Sequence, residues 1–226
     1  MAKKVPQKAF TFLQQLAKNN DRDWFNEHKA EFKAIASEMK EFYNELMIRM
    51  QEHDAIEKLK VFRIYRDIRF SKNKTPYKTH LGASFTRAKP KLRGGYYLHL
   101  TPGESFIACG FWAPEKEDLL RIRKEFEMDA TEIREILGDK TFKNIWGEME
   151  GEELKTAPKG FNKEHENIDL IRKKQFVFTK NFTDEEVLSP GFMEEINNAF
   201  KAIRPYFDFM TEVLTTDENG MSIFED

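Results

Sequence analysis

The run Lys60-Val-Phe-Arg-Ile-Tyr-Arg-Asp-Ile-Arg-Phe70 is where the chain changes character, and its reading sets the fold class. Up to about Gln51 the apolar residues recur every three or four positions, as in a helix; from Val61 they alternate, the period of a strand. On a strand Phe62, Ile64, Ile68 and Phe70 share one face with Arg66, while Arg63, Tyr65, Asp67 and Arg69 share the other. Pro76 and the polar stretch Ser71–Thr75 end this expected strand in a turn. A helical reading would instead gather Arg63, Arg66, Asp67 and Phe70 and turn Arg69 away; alternation fits the run better.

N-terminal to this switch, residues 7–18 predict a short helix with Phe10, Leu13 and Leu16/Ala17 on one face. Asn19-Asn20 breaks it, and Asp21 caps a second helix of about seven turns whose stripe includes Phe25, His28, Phe32, Ile35, Met39, Phe42 and Leu46. C-terminal to the switch, Leu81–Phe85 predicts a strand and Lys89–Gly95 an exposed loop. Tyr96–Thr101 and Ser105–Trp112 flank Pro102-Gly103-Glu104 as a hairpin. Helices follow from Pro114 and over Ala130–Leu137, with a helical turn at Phe142–Trp146. Residues 147–167 form a surface connection, Lys174–Thr179 another strand, and Ser189-Pro190 opens a helix that Pro205 restarts or kinks into Tyr206–Leu214. Helices, then strands, then helices without βαβ alternation give an α+β fold. The expected architecture is an N-terminal helical hairpin, a central mostly antiparallel sheet and C-terminal helices. It forms a single domain over 1–226, with an ordered core of about 7–214 and a tail at 215–226 that frays.

Charge is distributed unevenly. Between Lys60 and Arg93 eleven basic residues face one acid, Asp67, a local charge of +10 in a chain of net charge −2. Positive potential concentrated in this way suits an anion. A pI of about 6.3 argues against a dedicated nucleic-acid binder, which is usually basic throughout. With 21 Phe and 40% hydrophobic residues the chain can fill a core. Cys109, the single cysteine, excludes an internal disulfide and the usual cysteine-based zinc sites, and its apolar surroundings predict a buried small hydrophobe. No secretory h-region or membrane-length apolar window is present, so the expected setting is cytoplasmic, with no membrane partner.

Within the basic stretch, Asp67 can fix one arginine in a rotamer while another offers its fork of N–H groups to an anion. Arg63, Arg66 and Arg69 are the expected clamp, with Asp67 orienting it, and Lys74 and Tyr77 closing the site. Arg66 lies on the apolar face, where an unpaired charge is costly, so it needs either a carboxylate or a pocket. Asp67, Tyr77 and His99 are the candidate catalytic groups. The last shares a strand face with Tyr97, and an imidazole titrates near neutral pH. The five histidines form no HExxH or close pair, so no metal site is expected and the sequence names no cofactor. No nucleophile elbow, phosphate loop or dinucleotide fingerprint is present.

The pattern Arg63-x-x-Arg66-Asp67-x-Arg69-Phe70-x-x-x-Asn73-Lys74-x-x-Tyr77 resembles the signature of DUF2461, a bacterial family of unknown function, at every specified position. Trp24-Phe25, His28-Lys29, Gly95–His99 and Gly110–Pro114 are similar as well, so the resemblance spans nearly the whole chain. It implies no established activity. Three functions stay open: an enzyme or binding protein for a small phosphate- or carboxylate-bearing molecule; a nucleic-acid or acidic-partner module using Lys72, Lys74, Lys78, Lys89 and Lys91 with Tyr65 and Tyr77; and a structural ion-pair network without a ligand. The first is preferred, and the chain's overall acidity disfavours the second. Oligomeric state is not legible.

Overall fold

A computed structural model describes residues 3–217 and 219–224. Ten helices and a five-stranded antiparallel sheet of order β1-β2-β3-β4-β5 are present among them, an α+β fold with helices at both ends and the sheet between. The chain forms two compact units. The first takes the residues up to Phe85 with Tyr97–Ile107 and Asn181–Asn198; the second takes Thr86–Tyr96, Ala108–Lys180 and the residues from Ala199.

In the first unit, α1 (Gln7–Lys18) buries Phe10, Leu13 and Leu16, as its spacing predicts, while Ala17, expected on the same face, is exposed. Asp21 then caps α2 (Arg22–Glu27), its carboxylate accepting from the backbone N–H of Asp23 at 3.0 Å and of Trp24 at 2.9 Å. The expected seven-turn helix is two helices. At His28 the backbone leaves the helical region (φ −98°, ψ 8°), and α3 (Lys29–Met50) starts afresh. The cause is local: His28 Nδ1 donates to Trp24 O at 2.8 Å and the imidazole stacks on the indole at 4.0 Å, fixing the chain at the junction. Beyond it Ile35, Met39, Phe42 and Leu46 are buried as the periodicity predicts.

Strand β1 spans Ile56–Val61, and the expected strand from Val61 to Phe70 does not form. Phe62 N–H still reaches Gly82 O at 2.9 Å, but the partner β2 begins only at Leu81 and runs to Arg87. A strand needs a neighbour for its N–H and C=O groups. Residues 63–80 have one only at the bridge Tyr65–Tyr77, so they leave the sheet as a loop. The two-faced arrangement of Arg63, Arg66, Asp67 and Arg69 expected from strand alternation is therefore replaced by loop geometry.

The hairpin is as the sequence predicts: β3 (Gly95–Leu100) and β4 (Ser105–Phe111) turn through Gly103 at φ +81°, where a side chain would be strained. Tyr96, Leu98, Leu100, Ile107, Cys109 and Phe111 are buried, whereas Tyr97, His99 and Phe106 are half-buried.

The second unit holds α4 (Lys116–Met128), α5 (Thr131–Gly138), α6 (Lys140–Trp146) and α7 (Ile168–Ile171). Strand β5 (Phe176–Phe182) lies two to three residues beyond its expected place. Helix α8 (Asp184–Leu188), not anticipated, is closed by the Thr183–Glu186 capping box; α9 (Phe192–Ala202) and α10 (Arg204–Thr215) follow. Tyr206 on α10 donates to Phe176 O at 3.0 Å, and Tyr96 packs edge-on against Phe207. The tail, expected to fray, bridges Thr216 to Ser222, and the Asp217 carboxylate accepts from the N–H of Asn219 and Met221. Among the described residues no helix is long and apolar enough to cross a membrane.

Candidate functional site

The loop between β1 and β2 is held at its base and built from within. The Asn20 amide grips the Tyr77 backbone twice, Nδ2 donating to Tyr77 O at 3.0 Å and Oδ1 accepting from Tyr77 N at 3.1 Å. The Tyr77 ring is buried, stacked on Phe25 at 4.0 Å and 5.5 Å from the Tyr65 ring. Burial, with Tyr65 and Asp21 beside it, raises the Tyr77 phenol above its ordinary value although Arg22 opposes the shift, so it keeps its proton at neutral pH.

Most of the remaining polar residues of the motif are used up inside the loop. Arg69 donates to Asp67 through Nε at 3.0 Å and Nη2 at 2.7 Å, and its own backbone N–H binds the same carboxylate. That pair is exposed. Arg69, with Arg63 further off, holds the Asp67 carboxyl down at about 2, and so acidic a group is a weak base near neutral pH. Asn73 accepts from Thr75 N and Thr75 Oγ1, and Lys74 Nζ donates to Ile68 O at 3.0 Å. Asp67, Arg69, Asn73, Lys74 and Tyr77 thus shape the loop.

Arg63 and Arg66 are different. Among the described residues no carboxylate is ion-paired with Arg63, Arg66, Lys60 or Lys78. Arg63 is exposed. Arg66 is half-buried, and its Nε is shut off from solvent without an acceptor. Arg121, Arg123 and Arg172 share that feature, but each has an outer nitrogen held by Glu125, Lys173 O or Glu153; the Arg66 backbone N–H donates to Pro76 O at 2.9 Å, while its guanidinium has no acceptor among the described residues. It lines a cavity of 330 Å³ with Arg22, Asn26, Tyr65, Ile68, Pro76 and Tyr77. Of the two outcomes its position demanded, a carboxylate or a pocket, the pocket is the one present.

These cations act on their neighbours. Lys78 is lowered from its ordinary value by burial and then by Arg63, Arg66 and Lys60. Its ammonium sits 5.5 Å from the Phe62 ring centre, and that of Lys60 sits 5.1 Å from it. His80 is pushed down to about 4 by burial, His99, Lys78 and Arg66. The His80 ring lies 4.2 Å from that of His99, which burial also lowers against the opposing pull of Glu104. Both imidazoles are neutral at pH 7. Tyr97 hydroxyl and His99 Nδ1 are 2.9 Å apart, and His99 stacks on Phe106 at 4.6 Å.

Of the residues the sequence singles out, the fold brings Arg66 and Tyr77 onto one cavity with Arg63 close enough to act on Lys78, and leaves Asp67, Arg69 and Lys74 exposed. Periodicity points neither to the contact of His80, just before β2, with His99 on β3, nor to Arg22 and Asn20, some forty or more residues upstream of the loop. The one sequence signal for the histidine contact is the register of β2 against β3, which residues 88–94 between them do not set as a two-residue hairpin turn would.

The chain matches, over residues 8–209, the family described as conserved hypothetical protein (DUF2461), and it belongs to that family. Comparison with curated proteins and with solved structures gave no match.

Proposed function

We propose that the first unit binds a small phosphate- or carboxylate-bearing molecule, its anionic group received by Arg66 and Lys78 with Arg63 and Lys60 adding long-range attraction. The observation that carries this reading is Arg66: a half-buried guanidinium, without an acceptor among the described residues, on the wall of a 330 Å³ cavity. A buried donor left unmet costs about 1–3 kcal/mol, and an anion oxygen supplies the missing acceptor. The volume is that of a small-molecule site. Asp67, Arg69 and Lys74, expected as direct ligands or base, serve here as the scaffold of the loop.

The test is thermal unfolding in a concentration series of phosphate, sulfate, and phosphorylated and carboxylated metabolites. A ligand-dependent rise in Tm, logarithmic in ligand above Kd, is expected in the native chain and absent in Arg66→Met. No shift with any anion sinks the reading. A second reading has its own observation: Phe70 is 96% exposed beside Arg69, Lys72 and Lys74, an aromatic tip on a basic loop suited to single-stranded nucleic acid. That reading requires oligonucleotide binding that weakens steeply with salt and is lost in Phe70→Ala.

A further inference from the structure

Next to the cations, the half-buried face of the hairpin carries a continuous set of rings. Phe62 meets Tyr97 edge-on at 5.9 Å, Tyr97 and His99 both pack on Phe106, and His80 closes the edge against His99. The other side of the same two strands is buried, with Leu98, Leu100 and Ile107 at 0% exposure, so alternation alone accounts for that core and leaves this aromatic face uncovered in part. It is also polar. Burial raises the Tyr97 phenol, so Tyr97 retains its proton, and its hydroxyl is hydrogen-bonded to His99 Nδ1 at 2.9 Å. With Nδ1 engaged in this way, Nε2 is the ring nitrogen of His99 left to meet a ligand, as donor or acceptor according to the tautomer. Neither that nitrogen nor either nitrogen of His80 has a hydrogen-bond partner among the described residues. Gly82 makes room for the arrangement: a Cβ there would stand 3.0 Å from the Tyr97 hydroxyl.

We infer that this wall of Phe62, Tyr97, His99, Phe106 and His80 seats a planar heteroaromatic ring, so that the ligand class is a heteroaromatic compound carrying one phosphate or carboxylate. The ring stacks on the aromatic face and makes a hydrogen bond with His99 Nε2. Its anionic substituent extends past Lys78, whose ammonium already lies over Phe62, toward Arg66. This inference rests on the anion-binding reading above and names the body to which the anion is attached.

The experiment is isothermal titration of the full chain with inorganic phosphate, glycerol 3-phosphate and adenosine 5′-monophosphate, and with acetate and nicotinate. Stacking plus one hydrogen bond predicts affinity about tenfold tighter for the ring-bearing member of at least one pair, adenosine monophosphate over glycerol 3-phosphate or nicotinate over acetate. Which pair shows it identifies the anion as phosphate or carboxylate. Phe106→Leu removes the stacking plane and Tyr97→Phe removes the hydroxyl hydrogen-bonded to His99 Nδ1. Both keep inorganic phosphate binding and lose the tenfold preference, and Tyr97→Phe alone suffices if Phe106→Leu does not fold. Equal affinity within both pairs, or a preference untouched by Tyr97→Phe, overturns the ring site while leaving the anion site standing. Absence of all binding overturns both.

Discussion

Arg87 and Arg66 come from one basic stretch of sequence and end in opposite circumstances. Arg87, in the second unit, is fully buried and satisfied: Nη1 donates to Arg93 O at 2.8 Å and Thr211 Oγ1 at 3.0 Å, Nη2 to Asp208 at 3.2 Å, and the guanidinium faces the Phe207 ring. Arg93 is likewise tied to Asp118. Arg66, in the first unit, has a cavity in place of a carboxylate, and its cationic neighbours only repel it. The contrast separates two uses of an arginine. Where the fold supplies the acceptors, the charge cements structure; where it withholds them, the charge is held in readiness for something from outside.

The largest effect that could break this contrast is on stability. Arg87→Met takes the guanidinium donor from the Arg93 and Phe207 carbonyls and one of two donors from Thr211 Oγ1, while Asp208 keeps Arg204, so it should cost about 2–3 kcal/mol, roughly 7 °C in Tm for a chain of this size. Calorimetry showing an unchanged Tm would remove Arg87 from the structural class. Arg66→Met should do the reverse, holding Tm within about 2 °C while abolishing the anion-induced shift, since no partner is lost and a repulsion is relieved.

Proton linkage sharpens the comparison from another side. His80 faces His99, Lys78 and Arg66, and its folded pKa of about 4 lies below the ordinary 6.5. Between those values the unfolded chain binds more protons, so stability should fall as pH drops from about 6.5 toward 4. His80→Asn should flatten that slope in melts at pH 7, 6 and 5, and saturating phosphate should flatten it too by neutralising Lys78 and Arg66. A slope identical in the variant would mean other groups carry it. The smallest effect is expected at the exposed Asp67–Arg69 pair: Arg69→Met should leave Tm unchanged and alter phosphate affinity by less than about threefold, because solvent and salt screen it. A tenfold loss there would return Arg69 to the clamp the sequence suggested.

The helices and the hairpin were legible because each announces itself within a few residues. Phe10, Leu13 and Leu16 mark α1, Asp21 marks the cap of α2, and Pro102-Gly103 marks the β3–β4 turn. The loop was misread because alternation reports which side chains are apolar, not whether a neighbouring strand exists; Ile64 is buried and Tyr65 exposed although neither lies in a strand. His28 split a helix through a contact with Trp24 that periodicity does not register.

The sequence by itself determined the α+β class, the family, the buried Cys109 and the gathering of positive charge between Lys60 and Arg93, because these depend on composition and short-range pattern. Only the tertiary structure decided which of those charges are spoken for. Asp208 and Asp118 reach Arg87 and Arg93 from helices further along the chain, while among the described residues no carboxylate is ion-paired with Arg66, and His80, next to β2, meets His99 on β3. Ion pairing and register act between residues distant in sequence, and the fold alone sets those distances.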